Sequence, residues 1–108
     1  MPACTFYCPR YLFVELFKHK ERLMHATGLT EADFLEGLYA LVTRLEFVNE
    51  SNIPMGTWLE AYRLCKTVDE QDTPYVALTL HMDGRLWSSD RELKTHLCSK
   101  GFDRFFEP

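Results

Sequence analysis

The chain has 108 residues, 46% of them apolar and 26% charged, a composition typical of one folded domain and unlike that of a disordered chain. Twelve Lys and Arg stand against sixteen Asp and Glu, a formal charge of −4. This excludes a generic basic nucleic-acid coat, but not an enzyme acting on nucleic acid, because a metal site is itself acidic. No apolar run reaches the roughly 20 residues of a membrane span and no secretory signal is recognised, so a cytoplasmic protein is expected.

Four cysteines stand apart from one another, at Cys4, Cys8, Cys65 and Cys98. No two of them have the C-x-x-C spacing of a structural zinc site. Without a secretory signal, disulfides are not expected either. We therefore predict buried, reduced thiols and no zinc.

The first half of the chain predicts a strand, two helices and a second strand. Residues 5–8 have the character of a strand, and a helix follows over about 9–24, with its proline in the first turn. Gly28 suits a left-handed cap after that helix, and Thr30 opens a capping box for the next one. Residues 47–48 predict a brief strand.

The second half predicts three more helices and two short strands. An acidic turn precedes an apolar segment, 74–82, that must be buried, and Pro74 near its start favours a helix there. The other elements are a helix over about 56–66, a strand at 85–87, a helix from a Ser89–Glu92 capping box to about 100, and an edge strand at 105–106. Short strands alternating with helices predict a parallel sheet covered by helices, in a single domain over 1–108.

Two acidic residues, Glu15 and Asp72, each have a possible structural role and a possible role as a metal ligand. Glu15 lies on the apolar face of the first predicted helix, where an ionised carboxylate is costly unless it is paired or binds a metal. The alternative is a position at the edge of that face, where the side chain reaches water or pairs with Lys18 or Arg22. Asp72 precedes the buried segment and is a candidate N-cap, a role that Thr73 is equally able to fill.

Two more acids flank the last predicted strand and helix. Ser89 with Glu92 makes a better capping box than Asp90, which leaves Asp90 at the carboxyl end of a strand, where open α/β sheets bind ligands. Asp69 is a further candidate, with a solvated acidic turn as its alternative. Carboxylates that converge in a cleft form a hard oxygen site for Mg²⁺ or Mn²⁺, and such a site suits phosphodiester hydrolysis.

The stretch from Val68 to Leu93 resembles the carboxy-terminal signature of PIN-domain nucleases. That signature has a D-x-x-D turn, then P-Y/F-V-A-L-A-L, then a strand ending in W-T/S and an Asp opening the last helix. Here it reads VDEQDTPYVALTLHMDGRLWSSDREL. The upstream YCPRYLFVEL, Tyr7 to Leu16, resembles the family segment that carries a Pro, apolar residues and a Glu.

This resemblance implies a site, a fold and an activity. Carried over by position, Glu15, Asp72 and Asp90 match the metal-binding acids of the family, and Asp69 matches the first Asp of the D-x-x-D turn as an auxiliary ligand. It implies a Rossmann-like three-layer α/β/α fold with a short parallel sheet. It also implies a Mg²⁺- or Mn²⁺-dependent ribonuclease acting on single-stranded RNA, and many such proteins are toxins paired with an antitoxin protein.

One part of the family pattern has no counterpart in these residues. Family members begin with a central strand that ends in an Asp, followed by a helix, whereas this chain resembles an N-terminally truncated member that begins at the second strand. A sheet without its central strand exposes backbone groups with which another strand of the chain or a second copy can pair, and the second copy would make a homodimer. Loss of the first Asp also removes a metal ligand.

The remaining predictions concern substrate contacts and rival functions. Arg91 and Lys94, beside Asp90, are placed to meet a phosphate. The alternative to the nuclease is a degenerate PIN-fold module that does no chemistry and serves in dimerisation or partner binding. A third reading is a plain helical domain whose acids are caps and solvated turns.

Overall fold

The computed structural model describes residues 4–107, and the chain divides into two compact units, Met1–Val48 and Asn49–Pro108. Each unit has its own helices and its own pairing of extended segments. Within residues 4–107, no helix combines the length and the apolar character that crossing a bilayer requires. The single domain over 1–108 stays a prediction.

The first unit is built on two short parallel strands, β1 (Tyr7–Pro9) and β2 (Glu46–Val48). Tyr7 lies opposite Glu46, and Pro9 lies opposite Val48. Parallel strands need a long crossover, because a tight turn can join only antiparallel ones. Helices supply that crossover here, which confirms the predicted α/β class with a parallel sheet.

Three helices connect these strands: α1 (Tyr11–Lys18), α2 (Lys20–Thr27) and α3 (Glu31–Val42). The prediction of one continuous helix over 9–24 is wrong, because the backbone leaves the helical region at His19 (φ −104°, ψ 9°). The proline predicted in that helix belongs to β1 instead. The helical spacing of apolar residues continues across the non-helical backbone at His19, so this spacing alone does not reveal the break between α1 and α2.

The helix ends of the first unit follow the predicted capping chemistry. Gly28 follows α2 with φ +71°, a left-handed conformation that glycine adopts at little cost. The Thr30 side chain accepts a hydrogen bond from the Asp33 amide at 3.2 Å, and so caps α3. Between them these residues turn the chain from α2 into α3.

The second unit contains α4 (Met55–Cys65), α5 (Thr73–Met82) and α6 (Arg91–Ser99), with 3₁₀ turns at Glu50–Asn52 and Glu70–Asp72. α5 packs against α4, and the segment predicted to be buried is a helix whose middle is buried. The core side chains come from all three helices and the segment after α6; they include Ala61, Leu64, Cys65, Val76, Ala77, Leu97 and Phe102.

The two strands predicted near the end of the chain are shorter than expected. They reduce to one parallel bridge, Leu86 with Phe105. The Leu86 amide donates to the Arg104 carbonyl at 2.8 Å, and the Phe106 amide donates to the Leu86 carbonyl at 2.8 Å. The pairing stops there because the chain turns at Ser88 to begin the cap of α6.

Candidate functional site

The D-x-x-D turn folds into the 3₁₀ turn that precedes α5. The Gln71 amide donates to Asp69 Oδ1 at 2.9 Å, and the Asp72 amide donates to the Asp69 carbonyl at 3.1 Å. The Thr73 hydroxyl donates to the Glu70 carbonyl at 2.6 Å. These local bonds hold both aspartates of the motif on one turn of backbone.

Asp72 occupies the N-cap position of α5, but its side chain makes no capping hydrogen bond to that helix. Pro74 lies in the first turn and has no N–H group, which reduces the number of amide donors that need a cap. The carboxylate is half-buried. The capping role that the sequence left open for Asp72 is therefore not the one its side chain takes.

The thiol of Cys65 lies within the electrostatic influence of this turn. Its pKa is raised to about 11, first by burial and then by the negative charge of Asp72, with a smaller contribution from Asp69. A hydrogen bond with Thr73 and the charge of Lys100 act in the opposite direction. Both aspartates of the motif therefore direct negative potential at one buried point.

We expect Cys65 to be the less reactive of two thiols in the second unit. The raised pKa means that the thiolate, which is the nucleophile, becomes the main form only as the pH rises through about 11. In metal-free buffer at pH 8, a variant whose only cysteine is Cys65 should react with an aromatic disulfide reagent about a hundredfold more slowly than one retaining only the exposed Cys98.

The rate of the Cys65 variant should keep rising with pH, and both variants should react at similar rates in denaturant. Equal rates for the two folded variants at pH 8 would contradict the burial and the negative potential described above.

Asp90 is the N-cap of α6. Its Oδ1 accepts a hydrogen bond from the Leu93 amide at 3.1 Å, and its own amide donates to Ser88 Oγ at 3.1 Å. The expectation that a Ser89–Glu92 capping box leaves Asp90 without a capping role is wrong. The backbone path places the cap one residue later, and Asp satisfies a helix start as well as Ser does. Within residues 4–107, no protein group forms a hydrogen bond with the second carboxylate oxygen, Oδ2.

The two cations predicted to contact substrate lie on different flanks of α6. Lys94 forms an ion pair with Glu107, with Nζ and Oε1 3.4 Å apart, and lies 5.7 Å from the centre of the Phe105 ring. Arg91 instead lines a groove on the opposite flank. The structure therefore separates two residues that the sequence treated as one patch.

The groove beside Arg91 is a site that the sequence did not indicate. It is open, has a volume of about 560 Å³ and runs between the Thr67–Val68 turn and α6. Thr67 Oγ1 and His96 Nε2 lie 2.8 Å apart and join its two walls. A clue was present in the i, i+4 spacing of Arg91, Thr95 and Ser99, which places them along one helix face.

Glu15, the remaining predicted metal ligand, lies half-buried on α1 in the first unit. Carboxylate oxygens are the hard donors that Mg²⁺ and Mn²⁺ prefer, so the four predicted acids match those ions in chemistry. Within residues 4–107, no group of three or more His, Cys, Asp or Glu side chains is placed to hold a metal ion. The gathering of Glu15, Asp69, Asp72 and Asp90 around one ion stays a prediction.

Helices that join parallel strands define an α/β protein, and in this one aspartates stand at the heads of the last two helices. The sequence model of the PIN-domain family matches residues 1–103, so the chain belongs to this family, as its motifs predicted. This family generally uses divalent metal ions and acts on RNA. No curated protein and no solved structure matches the chain.

Proposed function

We propose that this chain is a Mg²⁺- or Mn²⁺-dependent ribonuclease that hydrolyses phosphodiester bonds in single-stranded RNA. The observation that carries the proposal is the PIN-domain match over residues 1–103, which includes both motifs that bear the predicted acids. The proposed metal ligands are Glu15, Asp72 and Asp90, with Asp69 as an auxiliary ligand.

The positions of two acids support this assignment. Asp72 and Asp90 stand at the heads of α5 and α6, and Asp90 caps its helix through Oδ1 alone, which leaves Oδ2 for an ion. A bound divalent ion supplies an activated water and offsets the charge on the transferring phosphoryl group. In this proposal the acids hold the ion, and Arg91 and Lys94 contact the phosphate backbone from different flanks of α6.

A cytoplasmic toxin of a toxin–antitoxin pair is the finer form of the same proposal, with the antitoxin and a second copy of the chain as protein partners. The support is the PIN-domain match, together with the apolar side chains that the first unit leaves exposed.

A second candidate function is a module that binds a partner and does no chemistry. The observation that favours it is the apolar surface of the first unit. Across residues 11–42, all of which the structure describes, no side chain is buried. Val14, Phe17 and Tyr39 are 58%, 55% and 71% exposed, and exposed apolar surface of this kind marks interaction sites.

Calorimetric titration with Mn²⁺ distinguishes the two candidates. We expect saturable heat for the wild-type chain and at least roughly tenfold weaker binding for Asp72→Asn, because the substitution removes a charged oxygen ligand without changing side-chain size.

Asp103→Asn is the matched control, since Asp103 is an exposed acid of the same unit and is not among the proposed ligands. Folded wild-type protein that gives no heat would favour the partner-binding module. An equal loss of Mn²⁺ affinity in Asp72→Asn and Asp103→Asn would show a general effect of charge and no metal site at Asp72.

A further inference from the structure

We propose that the groove between the Thr67–Val68 turn and α6 binds the phosphodiester backbone of the single-stranded RNA, and that Arg91 attracts the strand there while Glu92 opposes it. This inference rests on the proposed function, because it assigns the path of the same substrate. It adds a binding surface that neither the motifs nor the family match places.

The lining of the groove has the chemistry of a phosphate contact. Arg91 supplies a guanidinium and Thr95 a hydroxyl group, while the hydroxyls of Thr67 and Ser99 already form hydrogen bonds with His96. Guanidinium and hydroxyl donors are the groups that usually contact the oxygens of a nucleic-acid backbone. An open groove also suits a strand that passes through, whereas a free small molecule is usually held in a more enclosed cavity.

Two residues that line the groove are next in sequence to two of the proposed metal ligands. Val68, on one wall, directly precedes Asp69, and Arg91, on the other wall, directly follows Asp90. Two acids from distant parts of the sequence are thereby next to opposite walls of one groove.

The groove walls are fixed by contacts between residues far apart in sequence. Thr67 Oγ1 and His96 Nε2 are 2.8 Å apart, and Lys100 Nζ donates to Thr67 Oγ1 at 3.4 Å and to the Arg63 carbonyl at 2.9 Å. These bonds tie the end of α4 to α6. A surface held in this way needs little ordering when a ligand arrives.

Glu92 gives the proposal an unusual test, because two neighbouring residues of one helix should act in opposite directions. Both Arg91 and Glu92 line the groove and both are exposed. A carboxylate in a phosphate-binding groove repels the strand, whereas the guanidinium beside it attracts the strand. Replacement of either residue by Gln keeps a polar side chain and removes the charge; Glu92→Gln keeps the size of the side chain, whereas Arg91→Gln also removes the guanidinium donors.

Fluorescence anisotropy with a labelled single-stranded RNA tests this in buffer containing EDTA, so that cleavage does not interfere. We expect Arg91→Gln to weaken binding about three- to fivefold and Glu92→Gln to strengthen it by a similar factor. The dependence of log affinity on log salt should fall by about one for Arg91→Gln. Arg85→Gln, an exposed cation of the same unit outside the groove lining, should bind with at most the small loss of a general charge effect.

Opposite shifts for Arg91→Gln and Glu92→Gln support the groove. Wild-type affinity in both variants, or a change in Arg85→Gln as large as that in Arg91→Gln, overturns it. Cleavage in Mn²⁺ is measured separately, so the two failures stay distinct. If the variants show these affinity shifts but the wild-type chain does not cleave RNA, the groove is supported and the nuclease proposal is contradicted. If the wild-type chain cleaves RNA but all variants bind RNA with the same affinity, the nuclease proposal is supported and the groove is contradicted.

Discussion

Asp90→Asn should lower Mn²⁺-dependent cleavage of single-stranded RNA by about a hundredfold or more, while the free energy of unfolding changes little. Asp90 has two roles in our proposal, as the cap of α6 and as a metal ligand. Asn caps a helix as well as Asp does, so this substitution keeps the bond to the Leu93 amide and removes the negative charge. The measurement is the initial cleavage rate of a labelled RNA.

The controls separate chemistry from folding. Asp103→Asn should cleave at the wild-type rate, because it removes the same charge from an exposed position outside the proposed site. Chemical denaturation of each variant shows whether the cap has survived. Equal cleavage by wild type and Asp90→Asn would mean that the activity comes from a contaminant and that Asp90 is not a ligand.

Leu97→Ala should reduce the free energy of unfolding by about 2–5 kcal/mol, the largest stability effect that we expect from a single substitution. Leu97 is fully buried on α6, on the side away from the groove. Removing its side chain loses apolar burial and leaves a cavity in the core of the second unit. Urea denaturation followed by circular dichroism measures the change.

Leu59→Ala is the matched control, because Leu59 lies on α4 of the same unit and is 61% exposed. It should change the free energy of unfolding by no more than about 0.5 kcal/mol. A Leu97→Ala variant as stable as Leu59→Ala would contradict the packing of α6 against the rest of its unit.

The sequence predicted the helix ends best where the signal is local. Gly28 and Thr30 act on backbone groups within four positions, and both have the predicted roles. Pro74 placed the start of the buried helix for the same reason, since a proline restricts its own backbone and that of its neighbour. Capping hydrogen bonds and backbone restrictions of this kind do not depend on which other elements pack against the helix.

The break at His19 was missed because apolar spacing reports which face of a helix is apolar and not whether every residue is helical. The cap of α6 was placed at Ser89 because that box is also good local chemistry. The chain instead turns at Ser88, directly after the bridge between Leu86 and Phe105, and this turn brings Asp90 to the cap position.

The candidate site likewise has one part that the sequence predicted, the acids, and one part that it did not, the groove. The acids were found as residue types in a spaced motif, and the family match supports that reading. The groove was not found, because its walls come from Thr67 and His96, which are 29 positions apart. No pattern in either segment indicates the other.

The sequence by itself therefore determined the class of this protein, the caps at Gly28 and Thr30 and the acids of its motifs, since each depends on residues close together in the chain. The tertiary structure decided which side chain caps α6, which flank of that helix Arg91 and Lys94 occupy, and that a groove lies beside Asp69 and Asp90. The groove depends on contacts between α4 and α6, the cap of α6 on the turn after the Leu86–Phe105 bridge, and the position of Lys94 on Glu107, and each is a matter of contacts that no local pattern shows.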